Sequence, residues 1–422
     1  MKKTFIIILL FFGANYLTKA QKLDLSTCLD SAVAYMPALQ QDEAIRNTLS
    51  NKLRSHETVN LPSLQVNGQI TYQSAVPELP FTIPNMPGLE IPQTQFRTYL
   101  EVTQPIYNGG MANALKGAET ANAMVQIEQL KISELNVKKQ VTELYYNVVE
   151  IEYQKATLDK TLELVLEKQK VVESAIKNGV AQQNDLLKLQ TQVLSLQNQK
   201  SMLAQRQNAA KEVLEILCGF EITDSHVFRA SEADFKPSID LKNNAEIKYL
   251  NAKTTALKSS EDLLKSKRMP KVMAFGQSGF GQPNPLNFFE ADVSGYYMVG
   301  AKLQWKLTDW GNTQRDIENL EISTDQIALI TEQKSIELNS KIAQMQSEIE
   351  ILEKAINNDE QLLKLKAQIV TNAKKQYEEG IITFTDYMNE ELELKQTEMA
   401  LGTHKTQLLK TQYLLQLEIG NL

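Results

Sequence analysis

Cysteine and histidine are scarce in this chain, with two and three copies among 422 residues. Two cysteines are too few for a small disulfide-rich scaffold. His56, His226 and His404 have no cysteine or carboxylate beside them at the spacing of a metal site. No nucleophile with a neighbouring base and no phosphate-binding loop stands out elsewhere. We therefore predict that the chain is not an enzyme, with no catalytic residues, no metal site and no cofactor.

A positive net charge and a long apolar run are also missing. Lysine and arginine number 44 against 51 acidic residues, which argues against a nucleic-acid-binding protein. The apolar run from Phe5 to Phe12 follows Lys2 and Lys3 and precedes small residues near position 20, as in a secretory leader. It is too short to be a membrane anchor. We predict a signal peptide at 1–20, which leaves a mature chain with 41 basic and 51 acidic residues and a net charge of −10.

Helix-breaking residues are absent over long spans. No proline lies between Pro105 and Pro237, and no glycine between Gly117 and Gly179, so nothing interrupts the helical hydrogen-bond ladder. Apolar residues recur there at seven-residue steps: Leu130, Val137, Leu144, Ile151, Leu158, Val165 and Val172. This heptad pattern predicts one coiled-coil helix from Gly110 to Gly179, roughly 100 Å long.

The same pattern occurs a second time, 201 residues further along the chain. Gly110 and Gly179 correspond to Gly311 and Gly380, and the second span has its own apolar seam. A constant offset without insertions predicts an internal structural repeat. The predicted domains after the signal peptide are a first repeat, a connector and a second repeat: 21–219, 220–240 and 241–422.

The two cysteines bear on this repeat. Cys28 and Cys218 leave the cytosol together with the leader, so a disulfide between them is chemically allowed. Cys218 occupies the repeat position of Ile419, and this favours a buried apolar thiol. The sequence leaves both alternatives open.

Each repeat is predicted to contain a helix, two strands, a long helix and a shorter helix. Ser26 or Thr27 is the expected N-cap of the first helix, and five prolines between the first two strands indicate a loop. The predicted helices are 24–60, 110–179, 184–219, 241–268, 311–380 and 385–420. The predicted strands are 64–72, 96–104, 272–281 and 295–307.

The predicted strands are apolar on one face and polar on the other. An apolar face toward lipid and a polar face, with Glu101 and Lys302, toward a water-filled lumen would match an outer-membrane barrel. Four strands cannot close such a barrel alone, so further copies of the chain are needed. A soluble sheet packed on helices is the alternative. Aromatic residues near the strand ends would form two girdles: Tyr72, Phe96, Tyr107, Tyr296, Tyr297 and Trp305.

The motifs around the long helices resemble those of one family. They are the start of the first helix, the entries into the long helices and the turns that follow them: Leu29 to Leu39, Pro105 to Gly110, Trp305 to Gly311, Gly179-Val180-Ala181 with Asp185-Leu186, and Gly380-Ile381-Ile382 with Asp386-Tyr387. Together they are similar to TolC-type outer-membrane efflux proteins. The resemblance implies an α+β membrane protein with internally repeated, long α-helical coiled-coil hairpins that form a trimeric α-barrel. Four strands per chain would contribute to a trimeric transmembrane β-barrel.

The resemblance also implies a function and partners. The chain would be the outer-membrane exit duct of a tripartite efflux or type I secretion system, a homotrimer whose helical part extends into the periplasm. An inner-membrane pump would deliver the substrate through a periplasmic adaptor protein, and outer-membrane lipid would surround the strands. The alternatives are a secreted structural or adhesive coiled-coil stalk without transport activity, and the adaptor itself. The amphipathic strands argue against the stalk, and the repeat argues against the adaptor.

Two sets of candidate functional residues follow from the resemblance. The adaptor-docking tips are Gly179, Val180, Gly380 and Ile381, where the glycines allow the chain to reverse at positive φ. The gate residues are Tyr377, Asp185, Asp386 and Asn389. In the family pattern the Tyr377 hydroxyl bonds to Asp185, and Asp386 faces the lumen, where three carboxylates attract cations. Ile382 stands where the family often has an arginine, so one expected gate contact is in doubt and more of the latch would rest on Tyr377 and Asp185. Asn389 stands where a second acid is common, so the ring of carboxylates is expected to be weaker. The alternative is that Tyr377 is a seam residue of its heptad.

Overall fold

The computed structural model of the chain describes residues 21–76, 91–223, 225–230, 240–287 and 290–421. The predicted signal peptide, most of the proline-rich loop and the middle of the predicted connector lie outside the described residues. Helices make up most of the described chain. Among its described helices, none has the length and apolar character needed to cross a membrane.

From α2 and α5 onward, the two halves of the chain have the same order of helices and strands: a helix, two long strands, a long helix and a shorter helix. The helices are α1 Leu25–Tyr35, α2 Gln41–Glu57, α3 Met111–Lys177, α4 Gln183–Cys218, α5 Ala245–Lys267, α6 Asn312–Glu378 and α7 Phe384–Ile419. The strands are β1 Gln21–Leu23, β2 Ser63–Tyr72, β3 Thr94–Tyr107, β4 His226–Phe228, β5 Lys271–Gln282 and β6 Ser294–Gln304. Single turns of 3₁₀ helix occur at Thr58–Asn60 and Leu241–Asn243.

The long helices confirm the heptad prediction. α3 and α6 have 67 residues each, so each rises about 100 Å. α4 and α7 have 36 residues each, and both end at a left-handed glycine, Gly219 at φ 73° and Gly420 at φ 75°. Glycine adopts this conformation at helix ends without strain. Because α3 matches α6 in length and α4 matches α7, the repeat seen in the sequence is also present in the structure.

The prediction of one helix over 24–60 is wrong, because the helix is interrupted between α1 and α2. Met36 has an extended backbone, with φ −65° and ψ 114°, and Pro37 follows it. A residue before proline is disfavoured in the helical region by the proline ring. The N-cap is Asp24, not Ser26 or Thr27.

The matching helix of the second half is also shorter than predicted. Its first residues form the 3₁₀ turn Leu241–Asn243, and Asn244 is extended, with φ −61° and ψ 134°. α5 begins only after that residue. The Asn244 side chain is completely buried at 1% exposure and donates to the Glu418 carbonyl oxygen at 2.8 Å.

A short parallel pair of strands was missed by the sequence analysis. β1 pairs with β4 from Gln21↔His226 to Leu23↔Phe228. The Tyr145 hydroxyl lies beside this pair, 2.7 Å from the Leu23 carbonyl oxygen and 2.9 Å from the Arg229 carbonyl oxygen. Three residues per strand are too few to show an alternating pattern in a sequence.

The remaining strands form one antiparallel sheet in the order β2-β3-β5-β6. Residues aligned across the sheet share a face: Leu64, Val102, Gly276 and Val299 are in register on one side, and Gln65, Glu101, Gln277 and Met298 on the other. The predicted alternation of apolar and polar faces is therefore confirmed. β2 and β6 are the edges of this sheet in the described part of the protomer.

The apolar face of the sheet is exposed in the single chain. Val66 and Val299 are each 78% exposed, and Leu303 is 66% exposed. The predicted girdle needs one correction, because Tyr296 lies on the polar face, where its ring centroid is 6.5 Å from that of Tyr99. Its neighbour Tyr297 is on the apolar face and 77% exposed.

The polar face of the sheet carries its own hydrogen bonds. The Glu101 carboxylate accepts from the Asn67 amide at 3.2 Å and from the Gln277 amide at 2.9 Å. Arg97 donates through Nε to the Gln69 side chain at 2.9 Å. These bonds tie β2, β3 and β5 together through hydrophilic side chains.

The chain divides into two compact units. The first contains Ile132–Asn244, Ile336–Leu422 and the described residues up to Gln40. Its largest buried cluster includes Tyr145, Tyr146 and Leu214, with ring centroids of the two tyrosines 5.7 Å apart.

The second unit contains Gln41–Lys131 and Ala245–Ser335. It holds the four-stranded sheet, α2, α5 and the first parts of α3 and α6. Ion pairs link α2 to α3, with the Lys52 Nζ 2.8 Å from the Glu119 carboxylate and the Lys116 Nζ 3.0 Å from the Glu57 carboxylate.

Candidate functional site at the helix turns

The turns after α3 and α6 have the same hydrogen-bonded geometry. Val180 N–H donates to the Ala175 carbonyl at 3.0 Å, and Gly179 N–H donates to the Ile176 carbonyl at 3.0 Å. The second turn repeats both bonds from Ile381 and Gly380 at 2.8 and 3.0 Å. This pair of bonds defines a Schellman C-cap. Both predicted tips therefore have the same backbone conformation.

Both tips present apolar side chains to solvent. Val180 is 78% exposed and Ile381 is 66% exposed. Gly179 and Gly380 have φ of 74° and 77°, and a Cβ added at either would meet no atom within 4 Å. The space around the glycines is therefore open, and only the backbone conformation requires glycine.

The helices that follow the tips begin differently. The Thr383 hydroxyl accepts from the Asp386 N–H at 3.2 Å, and the Asp386 carboxylate accepts from the Thr383 N–H at 3.1 Å. This capping box holds the pKa of Asp386 below its usual range, first through the Thr383 hydroxyl and then through its backbone N–H. The N-cap of α4 is Gln182, whose side chain makes no capping hydrogen bond.

The Asp185 carboxylate takes no part in a capping box and instead contacts the first turn of α7. It accepts from the Thr385 hydroxyl at 3.4 Å, and the Lys188 Nζ donates to the same hydroxyl at 3.3 Å. Asn389 lines a cavity of about 220 Å³ together with these three residues. Asp185 and Asn389, two of the predicted gate residues, are therefore brought together between the starts of α4 and α7.

Tyr377 is packed among aromatic rings. Its ring centroid lies 5.7 Å from that of Tyr387 in a stacked arrangement, with an interplanar angle of 9°. Phe384 meets it edge-on at 5.5 Å. Within the described residues of the protomer no hydrogen bond joins Tyr377 to Asp185. In the described protomer, Phe384 and Tyr387 pack against the Tyr377 ring, and the Asp185 carboxylate accepts from Thr385 instead.

A second part of this aromatic cluster was not anticipated. The Tyr387 hydroxyl donates to the Glu391 carboxylate at 2.6 Å, and the Lys168 Nζ lies 4.9 Å from the centre of its ring. Burial, followed by the hydrogen bond to Glu391, raises the pKa of Tyr387 above its ordinary value. Thr383 could have been found in the sequence, since Thr-x-x-Asp is a capping-box pattern. Lys168, Lys188 and Thr385 carry no such signal.

Comparison with known families decides which proteins this architecture belongs to. The family model described as outer membrane efflux protein matches residues 28–219 and 230–421, one match in each half of the chain. The chain belongs to the outer membrane efflux protein family. Among curated protein sequences, none matches it.

Solved structures share the fold at low sequence identity. The outer membrane protein VceC from Vibrio cholerae is 15% identical with a TM-score of 0.70, over 94% of this chain and 96% of that one. The Campylobacter jejuni CmeC outer membrane channel is 15% identical, with a TM-score of 0.69 and coverage of 94% and 85%. The Neisseria gonorrhoeae MtrE outer membrane channel, solved in its open state, is 13% identical, with a TM-score of 0.66 and coverage of 94% and 88%.

Family membership gives the chain its place and role. It is an outer-membrane protein that serves as an exit duct for efflux, with its helical part extending into the periplasm. The family consists of channel proteins rather than enzymes. The alternative of an adhesive stalk without transport finds no support.

In the described ranges, no group of three or more histidine, cysteine or acidic side chains could hold a metal ion.

Proposed function

We propose that the chain works as a homotrimer in which each protomer contributes four strands to one transmembrane β-barrel. The observation that carries this proposal is the exposed apolar face of the sheet, bounded by the unpaired edges β2 and β6 in the described protomer. Lipid excludes unpaired strand edges, since each unsatisfied backbone group costs several kcal/mol there. Neighbouring copies of the chain would satisfy both edges.

The polar face supports the same arrangement. Glu101, Asn67 and Gln277 bond to one another on that face, and in a closed barrel they would line a water-filled lumen. We divide the chain accordingly into a signal peptide, a first repeat, a connector and a second repeat at 1–20, 21–219, 220–240 and 241–422. The two family matches, one per repeat, support this division.

The duct would receive its substrate at the helix turns. Gly179, Val180, Gly380 and Ile381 would dock a periplasmic adaptor protein, which in turn contacts an inner-membrane pump. Support comes from the exposed apolar side chains at both tips and from their identical backbone geometry. A surface built twice per chain can present the same contact to a repeated partner.

The gate would be formed by Tyr377, Asp185, Asp386 and Asn389. The aromatic packing of Tyr377 against Phe384 and Tyr387 would hold the end of α6 against the start of α7. Asp386 is exposed and ionised at neutral pH, given its lowered pKa. Three such carboxylates around an axis would attract cations and repel anions.

The assembly proposal is tested by the mass of the complex extracted from outer membranes in mild detergent. We expect a particle with three copies of the mature chain that resists dissociation. A stable monomer in detergent would contradict the proposal.

The docking proposal is tested by photo-crosslinking in cells. A photoreactive residue at Val180 or Ile381 should capture a periplasmic protein whose fragments identify it as an adaptor with a helical hairpin. The matched control is Met202 on α4, which is 49% exposed. It lies 22 residues after Val180 in the sequence. Equal capture from Met202, or no capture from the tips of an assembled trimer, would reject the docking surface.

A further inference from the structure

Two cysteines meet where α1 packs against α4. Cys28 lies on α1, and Cys218 is the last residue of α4. Their side chains are buried, with 0% and 3% exposure. The Cys218 Sγ is 3.5 Å from the Cys28 carbonyl oxygen, and both side chains belong to the same buried cluster. They are the two cysteines of the 422-residue sequence, brought together from positions 190 residues apart.

The compartment makes this encounter chemically significant. An outer-membrane protein folds after export, in a periplasm where disulfides form and persist. The pair belongs to a cluster of buried apolar side chains that includes Leu25 and Leu214, so water and small reductants have little access once the chain is folded. A pair of thiols in contact would therefore stay oxidised after its first oxidation.

We propose that Cys28 and Cys218 form an intramolecular disulfide while the chain folds in the periplasm. One thiolate attacks the disulfide of a periplasmic thiol–disulfide oxidoreductase, which forms a mixed disulfide and releases one sulfur of the oxidoreductase. The second thiolate attacks the mixed disulfide, which creates the Cys28–Cys218 bond and releases the other sulfur. The two electrons and the two thiol protons pass to the oxidoreductase, whose disulfide becomes a dithiol.

The order of events follows from the surroundings. In the folded chain the hydrogen bond with Cys218 and burial raise the pKa of the Cys28 thiol, and a protonated buried thiol is a poor nucleophile. Oxidation would therefore precede the docking of α1. The bond would then fasten the start of the mature chain to the end of α4, at the side of the β1–β4 pair.

The test counts thiols in the full-length protein made in cells that export it. Cells are quenched with acid, the protein is denatured in detergent, and free thiols are labelled with a maleimide polymer that shifts the band on a gel. We expect no labelled thiol before reduction and two after reduction. The mass of the unreduced chain should be about 2 Da lower than that of the reduced chain. Two labelled thiols per chain before reduction would overturn the proposal.

A single variant supplies the matched control. Cys28→Ser leaves Cys218 without a partner, so it should label once before reduction and so verify that a free thiol is detected. In the wild type, a disulfide that joins two chains would appear as a reducible dimer in denaturing detergent, and this also overturns an intramolecular bond. A reductant present during thermal unfolding reaches the bond as the chain opens, so it should lower the midpoint of the wild-type complex and leave that of the Cys28→Ala/Cys218→Ala variant unchanged.

Discussion

At the scale of single residues, one buried carboxylate joins three helices in the first compact unit. Glu418 on α7 is 4% exposed, and its carboxylate lies 2.6 Å from the Lys139 Nζ and 3.0 Å from the Lys341 Nζ. Burial acts to raise the pKa of Glu418, but the hydrogen bonds from the two lysines outweigh it and the pKa is lowered. The corresponding residue of the first repeat is Leu217, so this polar contact exists in one repeat and not in the other.

We expect Glu418→Gln to destabilise the protein at neutral pH by about 1 to 3 kcal/mol, because two ammonium groups lose their partner near the core. Thermal unfolding of the extracted complex measures the change. Glu360→Gln is the matched control, since Glu360 pairs with Lys405 at the surface, where ion pairs contribute little. Equal effects of the two variants would contradict a special role for Glu418.

The same contact predicts a pH dependence. The folded-state pKa of Glu418 is lower than the ordinary value of 4.5, so its stabilisation is fully present above that value and is lost as the pH falls through the folded-state pKa. The difference in thermal midpoint between the wild type and Glu418→Gln should therefore shrink below pH 4.5. A difference that stays constant down to the acid unfolding of the wild type would show that the charge is not responsible.

Tyr377 provides a test of what closes the duct. Its ring packs on Phe384 and Tyr387, and no bond to Asp185 involves its hydroxyl in the described protomer. We expect Tyr377→Phe to leave the open time of single channels unchanged and Tyr377→Ala to increase it, because only the second change removes the ring. Longer openings in Tyr377→Phe would instead support the hypothesis, taken from the family pattern, that the Tyr377 hydroxyl bonds to Asp185 and closes the channel.

At the scale of elements, the glycines of the tip turns have open space around them but a positive φ, which favours glycine. Gly380→Val places a β-branched side chain at φ 77°, a conformation that costs an ordinary residue roughly 1 to 2 kcal/mol, so the turn should change shape locally. We expect efflux to fail while the trimer still assembles, as measured by the retention in cells of a dye that the wild-type strain exports and by the amount of complex in the outer membrane. Gly117→Val is the matched control, because Gly117 also has open space but lies inside α3 with ordinary helical backbone. Normal efflux in assembled Gly380→Val would reject the tips as the docking surface.

The sheet offers a pair of neighbouring residues that test its two faces. Val299 is 78% exposed on the apolar face, and Met298 is aligned with Gln277 on the polar face. A lysine facing lipid costs about 2 to 4 kcal/mol near the bilayer centre, so Val299→Lys should reduce assembled protein in the outer membrane. Met298→Lys should assemble normally. Equal assembly of the two variants would show that the apolar face does not meet lipid.

Long elements could be predicted from the sequence and short contacts could not. A seven-residue period sustained along α3 and α6 is a strong signal, and glycine marks their ends. The break at Met36 does have a sequence signal, Pro37, but the apolar periodicity that continues on both sides of it favoured a single helix. The partners of Tyr377 and Asp185 depend on how α4, α6 and α7 pack, and such packing leaves no regular pattern in the sequence. The direction in which Asp185 points could not be inferred for the same reason.

At the scale of the whole molecule, the proposed trimer would share its barrel among three chains. Each sheet has edges at β2 and β6 in the described protomer, so every protomer would pair with two neighbours. The chain by itself would then be an intermediate of assembly, with its apolar face still exposed to water.

Those two strand edges have a consequence for genetics. If the edges of different copies pair without regard to which allele encoded them, a cell with equal amounts of wild-type and Gly380→Val chains builds mixed complexes, and only about one eighth contain three wild-type chains. The variant allele should therefore be dominant in a merodiploid strain. Val299→Lys should be recessive, because a chain that cannot enter the barrel never joins a wild-type neighbour. Measuring dye export in the two merodiploids would separate variant chains that inactivate a mixed complex from variant chains that never enter one.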